Sequence, residues 1–237
     1  MIALLLSLGS PALAEAPAPG PHAMVVEVAS RSKVPFAGTT EVITRSLVRV
    51  DLVREGDGWT QSQRVCAVEI ESDSRATTVL PQAFIDVIPV QRYPVQISEN
   101  GTYKADPGPT YVGFDPKVTG GAVPRKKNDP GVQDTDGDGH PGVTVLLDIP
   151  VFGKVKMYVA QAGWSRYDGA YRDGRFAGAV ESVSLDQRTL GASVSAFAAN
   201  PDITAVPERS RFIMSPLTEP ASCARLASRW SRTFEIP

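Results

Sequence analysis

The sequence contains few of the residues that usually carry out catalysis or bind transition metals. It has only two histidines, His22 and His140, and two cysteines, Cys66 and Cys223. Two histidines cannot build a zinc site unaided, and neither H-E-x-x-H nor C-x-x-C occurs. A G-x-S-x-G elbow and a P-loop are also absent, and no G-x-G-x-x-G opens a helix. A hydrolase whose site assembles only in three dimensions is therefore the enzymatic alternative that stays open.

The chain also lacks an excess of charge and long apolar runs. It has 24 basic and 26 acidic residues, a formal net charge of −2. Because the chain has no excess of positive charge, nucleic acids and anionic membrane surfaces are poor candidate partners. No segment approaches the ~18 consecutive apolar residues that would indicate a transmembrane helix. We therefore predict no transmembrane segment.

The N-terminus has the pattern of an export signal. Residues 1–14 form a short apolar run that ends in Ala-Leu-Ala, and residues 15–22 are a Pro/Ala-rich linker. This pattern matches a secretory signal peptide with cleavage after Ala14. A buried N-terminal strand or helix is the alternative. We predict a secreted or periplasmic protein.

The two cysteines agree with export to an oxidising compartment. A Cys66–Cys223 disulfide would close a very long loop. Two free buried thiols, or a single nucleophilic cysteine, are the alternatives. A nucleophilic cysteine would need a histidine partner, and the sequence offers only two. We predict the disulfide.

Most of the remaining sequence has the alternation of apolar and polar residues that is typical of β-strands. On the strand that follows a turn at residues 56–58, Val68 and Ile70 alternate with Glu69 and Glu71. Asn100-Gly101 predicts the tip of a second hairpin. Short helices are predicted between the prolines at 81 and 89 and in the tail that begins near Ser222.

About eight to ten antiparallel strands joined by short turns must protect their edges, and closing the sheet does this. We predict a single all-β domain at residues 23–237, an antiparallel β-barrel with one or two short helices and a long loop at about 106–142. A β-sandwich is the alternative. In layout the chain resembles the lipocalins, with a meander of strands, a late helix, and a disulfide that ties a middle strand to the C-terminal segment. The resemblance implies a lipocalin-like barrel.

An aspartate-rich loop carries the most specific motif. In DTDGDG, Asp134, Asp136 and Asp138 occupy alternate positions, and the glycines permit a sharp backbone path. Ca²⁺ prefers six to eight oxygen ligands, which such a loop can supply. Asp134 to Gly139 resembles the DxDxDG loops of EF-hand and thrombospondin type 3 proteins. The resemblance implies Ca²⁺ as the ligand, and an acidic turn that binds nothing is the alternative.

The loop differs from an EF-hand after its sixth residue. Position 12 is Val145 rather than glutamate, and the following segment is a strand. Further oxygens must come from elsewhere, and we predict the backbone carbonyl of His140 and the carboxylate of Asp129. Asp148 is a less favoured candidate, because an extended strand would carry it away from the loop.

Three functions remain compatible with these observations. The first is a non-enzymatic barrel that binds a small apolar ligand in its interior and is rigidified by the calcium loop and the disulfide. The second is a calcium-stabilised structural or adhesive surface module. The third is a hydrolase without a recognisable motif. Scattered aromatic residues either line a cavity or belong to the core, among them Tyr103, Tyr111, Phe114, Trp164, Tyr167 and Tyr171.

Overall fold

The computed structural model describes residues 17–34, 38–150 and 152–230, so the predicted signal peptide and the first two linker residues lie outside the described residues. Strands dominate. They are β1 (Gly20–Val34), β2 (Gly38–Glu55), β3 (Gly58–Ser72), β4 (Thr77–Val79), β5 (Gln91–Ile97), β6 (Thr102–Ala105), β7 (Thr110–Val112), β8 (Val143–Ile149), β9 (Gly153–Arg172), β10 (Arg175–Ala192), β11 (Asp202–Ala205) and β12 (Arg211–Pro216). Three short α-helices are α1 (Gln82–Asp86), α2 (Pro116–Thr119) and α3 (Cys223–Arg229), and 3-10 turns lie at Ser195–Phe197 and Pro207–Arg209.

The turn signals in the sequence set the hairpins. β2 and β3 pair from Glu55↔Gly58 to Val42↔Ser72, as the turn at 56–58 predicts. β5 and β6 join at the Asn100-Gly101 tip, where Gly101 has φ +82°. A Cβ at Gly101 would lie 3.0 Å from the carbonyl oxygen of Tyr171, so glycine is required both for conformation and for close approach to β9.

The twelve strands form one large antiparallel sheet, which confirms the all-β class. The sheet is not the closed barrel that the lipocalin-like layout implied. Pairing runs in the order β10, β12, β1, β2, β3, β5, β6, β9, and β9 also pairs with β10. However, β3 pairs with β5 only over residues 59–63, and β4, β7, β8 and β11 lie off this circuit, so one side stays open.

Other details of the prediction need correction. β1 begins at Gly20, inside the predicted linker, because residues 20–22 continue the ladder with β2 at Leu52, Asp51 and Val50. The segment 106–142 is not a plain loop, since it contains α2 and β7, and β7 pairs with β9. The twelve strands and three α-helices of the described residues exceed the predicted numbers. The additional elements, β4, β7, β11 and α2, have three or four residues, too few to give a clear hydrophobic period.

Side chains fill the space enclosed by the main strands. Tyr103, Phe176 and Met214 are fully buried, and Phe212 is 1 % exposed. The ring of Tyr103 lies 5.1 Å from that of Phe176 and 5.5 Å from that of Phe212. The aromatic residues singled out in the sequence therefore do not form one cluster. Tyr103 and Tyr167 belong to this core, and Phe114 belongs to another cluster. The other buried members of this core are Met24, Val26, Val48, Val50, Leu52, Tyr93, Val95, Ala105 and Val180.

A polar network crosses this core. The Tyr103 hydroxyl donates to Gln61 Oε1 (2.7 Å), and Gln61 Nε2 donates to the hydroxyl oxygen of Tyr93 (2.7 Å). Tyr93 in turn donates to Gln63 Oε1 (2.6 Å), and Gln63 Nε2 donates to Gln91 Oε1 (2.9 Å). Because each buried polar group has a partner, the network avoids the cost of an unsatisfied hydrogen bond.

The predicted disulfide is confirmed and attaches α3 to the outer face of the sheet. Cys66 in β3 bonds to Cys223, the first residue of α3. The Ser222 side chain caps the helix by accepting a hydrogen bond from Arg225 N (3.2 Å). Leu226 and Trp230 then cover a small apolar cluster on the sheet, formed by Val25, Leu47, Cys66 and Ile213.

Among the described residues, none of the helices is long and apolar enough to cross a bilayer.

Candidate metal site

The aspartate loop is held at both ends against β8 and β9. Gly142 N donates to Gln133 O (2.8 Å), and Thr135 N donates to Gly142 O (3.1 Å). A Cβ at Gly142, which has φ +93°, would lie 2.3 Å from Val159 O in β9. Only glycine therefore allows the loop to enter β8 this close to β9. These hydrogen bonds close the loop into a turn without a bound ion.

Within this turn the structure brings three of the predicted ligands together. Atoms of the Asp134, Asp136 and Asp138 carboxylates all lie within 4.8 Å of one another. Gly137 and Gly139, with φ of +72° and +84°, provide the sharp path that the sequence predicted. Three carboxylates this close repel one another unless a cation or hydrogen-bond donors offset their charge.

Asp134 organises the loop through backbone donors. Its Oδ1 accepts hydrogen bonds from Gly137 N (2.8 Å) and Asp138 N (3.1 Å), and its Oδ2 accepts one from Gly139 N (2.8 Å). These bonds, the one from Gly139 most of all, hold the pKa of Asp134 below its usual value. Asp134 is therefore ionised at neutral pH and curls the loop around its own carboxylate.

Asp136 carries the feature that distinguishes this loop from an ordinary acidic turn. Its Oδ2 accepts a hydrogen bond from Thr144 N (2.8 Å), while its Oδ1 is buried and has no hydrogen-bond partner. Burial raises the pKa of Asp136, and the negative charges of Asp138 and Asp134 raise it further. A bound cation would satisfy Oδ1 and offset the repulsion, so the residues present fit a divalent cation.

Asp138 is held by both neighbouring strands. Its Oδ2 accepts a hydrogen bond from Thr144 Oγ1 (2.8 Å) and lies 3.6 Å from Lys156 Nζ in β9, and its Oδ1 accepts one from His140 N (3.1 Å). Carboxylate and hydroxyl oxygens are ligands of hard cations such as Ca²⁺ and Mg²⁺. The lysine reduces the net negative charge of the group, which favours modest rather than tight affinity.

The other candidate ligands make contacts of their own. The His140 ring stacks on the Tyr158 ring, with centroids 4.1 Å apart. Asp129 Oδ2 accepts hydrogen bonds from Arg125 N (2.9 Å) and Lys126 N (3.0 Å), and so closes a separate turn. Asp148 is paired opposite Thr77 on β4. Ligation by Asp129 or by the His140 carbonyl stays a prediction.

Sequence reasoning missed Thr144 and Lys156. Thr144 follows the loop by only two residues, and its position next to a DxDxDG motif at the start of a strand was a local signal that could have been read. Lys156 gave no such signal, because β9 reaches the loop only through the β8–β9 ladder, in which Leu146 faces Lys156.

The fold and this site define a class: an antiparallel all-β protein with one internal disulfide and a three-aspartate loop that could hold a metal ion. No protein-family model and no curated protein matches the chain. Among solved structures, the chain is similar to DynF from the dynemicin biosynthesis pathway of Micromonospora chersina, with 13% identity over 91% of this chain and 89% of that chain. The TM-score is 0.36, so the likeness carries no argument about function.

Proposed function

We propose that this chain is an exported, calcium-stabilised structural module, in which a bound Ca²⁺ fixes the segment 106–142 against the sheet. The observation that carries the proposal is Asp136 Oδ1, a buried and unpartnered carboxylate oxygen within a group of three carboxylates. The Cys66–Cys223 disulfide supports a role in an oxidising compartment. Weak affinity, in the range of extracellular calcium modules, suits an ion that stabilises a fold rather than reports a signal.

Of the functions compatible with the sequence, we favour the structural module over an interior ligand site. Side chains such as Tyr103, Phe176 and Phe212 occupy the space in which an apolar ligand would lie. The groove of about 210 Å³ between α3 and the sheet, beside Leu226 and Trp230, lies on the outer face and not inside this core. The packed core thus supports a structural role for the sheet.

The first test is thermal unfolding of the oxidised protein with Ca²⁺, with Mg²⁺ and with a chelator. At a Ca²⁺ concentration about 100 times the dissociation constant, binding adds about 2.7 kcal/mol. For a protein of this size, that corresponds to an increase in Tm of roughly 5–10 °C. Asp136→Asn should lose the increase, while Asp148→Asn, which removes an exposed carboxylate outside the group, should keep it. An equal increase in wild type and Asp136→Asn would contradict the proposed site.

A second readout tests the proposed role of the ion in ordering the segment. Arg125, Lys126 and Lys127 are exposed within it and offer sites to trypsin. If Ca²⁺ fixes the segment, cleavage at these residues should be slower with Ca²⁺ than with chelator, and Asp136→Asn should be cleaved at the faster rate in both. If Ca²⁺ raises Tm without slowing cleavage, the ion stabilises only the short turn 134–142.

A further inference from the structure

A lysine of β9 already compensates part of the charge of the aspartate group. Lys156 Nζ lies 3.6 Å from Asp138 Oδ2, with the lysine side chain 48% and the aspartate side chain 24% exposed. Among the described residues, no other cationic side chain lies within ion-pair distance of Asp134, Asp136 or Asp138. The group therefore holds one cation of its own, supplied by the neighbouring strand.

This lysine is positioned by the sheet rather than by the loop. Lys156 faces Leu146 in the β8–β9 ladder, and on its other side its N donates to Ser193 Oγ (3.0 Å) and its O accepts from Ser193 N (2.9 Å). Its side chain leaves β9 on the same face as that of Tyr158, on which the His140 ring stacks. Because the backbone is bonded on both sides, the sheet delivers the ammonium to the loop without the help of an ion.

The ammonium compensates the group only in part. Asp134 accepts three backbone hydrogen bonds, and Asp138 is satisfied by Thr144 Oγ1 and the lysine. Asp136 Oδ1, in contrast, stays buried without a partner. Three ionised carboxylates and one ammonium leave a formal charge of −2, which is the charge that one divalent cation offsets. The lysine therefore does not replace a metal ion in this group.

We propose that Lys156 is a built-in counter-ion that competes with Ca²⁺ for the aspartate group and so regulates the site. This inference rests on the proposed calcium site and adds the residue that sets its affinity. In calcium loops, affinity follows the number of ligand charges and the rigidity of the site. A fixed positive charge beside the ligands acts on the two states in opposite directions. Its attraction to Asp138 stabilises the empty loop, and its repulsion of Ca²⁺ weakens binding.

The test is a calorimetric titration of the oxidised protein with Ca²⁺, combined with thermal unfolding in chelator, for wild type and Lys156→Gln. Removing the charge should raise calcium affinity about fivefold and lower Tm in chelator by roughly 1–3 °C, since a partly exposed ion pair contributes modestly. A residue with only a structural role would lower Tm without raising affinity. Lys156→Arg keeps the charge and should retain the wild-type affinity.

Lys154→Gln is the matched control. Lys154 is exposed, lies two residues away on the same face of β9, and is paired in register with Asp148 rather than with the loop. Its replacement removes the same charge from the same strand, and screening over the longer distance should keep the change in calcium affinity below about twofold. The gain in affinity of Lys156→Gln over wild type should also shrink at high salt, since a half-exposed charge is screened.

The outcomes separate this inference from the proposed function. Equal calcium affinity in wild type and Lys156→Gln, with binding lost in Asp136→Asn, would overturn the role of Lys156 and leave the calcium site intact. An equal gain in Lys154→Gln would also overturn that role, because the effect would then be one of net charge. If neither wild type nor Lys156→Gln takes up Ca²⁺, both the proposed function and this inference are wrong.

Discussion

The buried pair Gln61 and Tyr103 gives the sharpest test of how this core is built. Both residues are fully buried, and the Tyr103 hydroxyl donates to Gln61 Oε1 over 2.7 Å. Tyr103→Phe would leave that oxygen buried without a partner, at a cost of about 1–3 kcal/mol. Gln61→Leu would leave the Tyr103 hydroxyl unpaired, at a similar cost. Tyr93 keeps its hydrogen bond to Gln63 in either variant.

The double variant Gln61→Leu/Tyr103→Phe should be more stable than the sum of the single changes predicts. It replaces both partners with apolar groups of similar shape, so neither position leaves a buried polar atom without a hydrogen bond. We expect a coupling free energy of about 2 kcal/mol. Because 1 kcal/mol changes Tm by roughly 2–4 °C in a protein of this size, the double variant should unfold about 4–8 °C above the additive expectation.

The assay is denaturant unfolding of four oxidised proteins under the same conditions: the wild type, the two single variants and the double variant. Together they form a double-mutant cycle. The slope of unfolding free energy against denaturant must stay constant, or the cycle compares different unfolded states. Additivity within about 0.5 kcal/mol would refute the reasoning. It would mean that water or a rearranged Gln63 satisfies the groups left behind, and that the core is less tightly packed than its burial indicates.

Two other perturbations follow from the same structure. Burial raises the pKa of the core tyrosines, that of Tyr167 to about 12, so the folded protein keeps their protons where the unfolded chain, with a pKa near ~10, loses them. Their contribution to stability is therefore complete below pH ~10 and is lost above it, at up to about 1.4 kcal/mol per pH unit for each tyrosine. The phenolate absorbance of all six tyrosines should be reached only together with unfolding, and reaching it in the folded protein would contradict the burial of the core tyrosines. Replacing both Cys66 and Cys223 by alanine should lower the unfolding free energy by about 5 kcal/mol in the chain-entropy model, since the disulfide spans 157 residues. Thermal unfolding should fall by roughly 10–20 °C, and a fall of one or two degrees would show that α3 unfolds independently of the sheet.

The sequence by itself determined the local features of this protein. The hairpins at 56–58 and Asn100-Gly101 follow from turn residues between alternating strands, and both are present. The aspartate triad is brought together by a six-residue motif whose glycines act on adjacent backbone. The disulfide had a single possible pairing, because the chain has two cysteines. In each case the interacting residues are close in sequence or limited in number, so pattern and chemistry were enough.

The tertiary structure alone decided how these elements combine. Whether the enclosed space holds side chains or a cavity depends on how residues from distant strands meet, as Tyr103 and Phe212 do. Lys156 reaches Asp138 only because β9 pairs with β8, and alternation within β9 does not show its partner. The pairing of β3 with β5 ends at Gln63, while the alternating pattern of β3 continues unchanged. Period-two alternation tells which face of a strand is buried, but the partner at each edge is set by contacts between residues far apart in the chain.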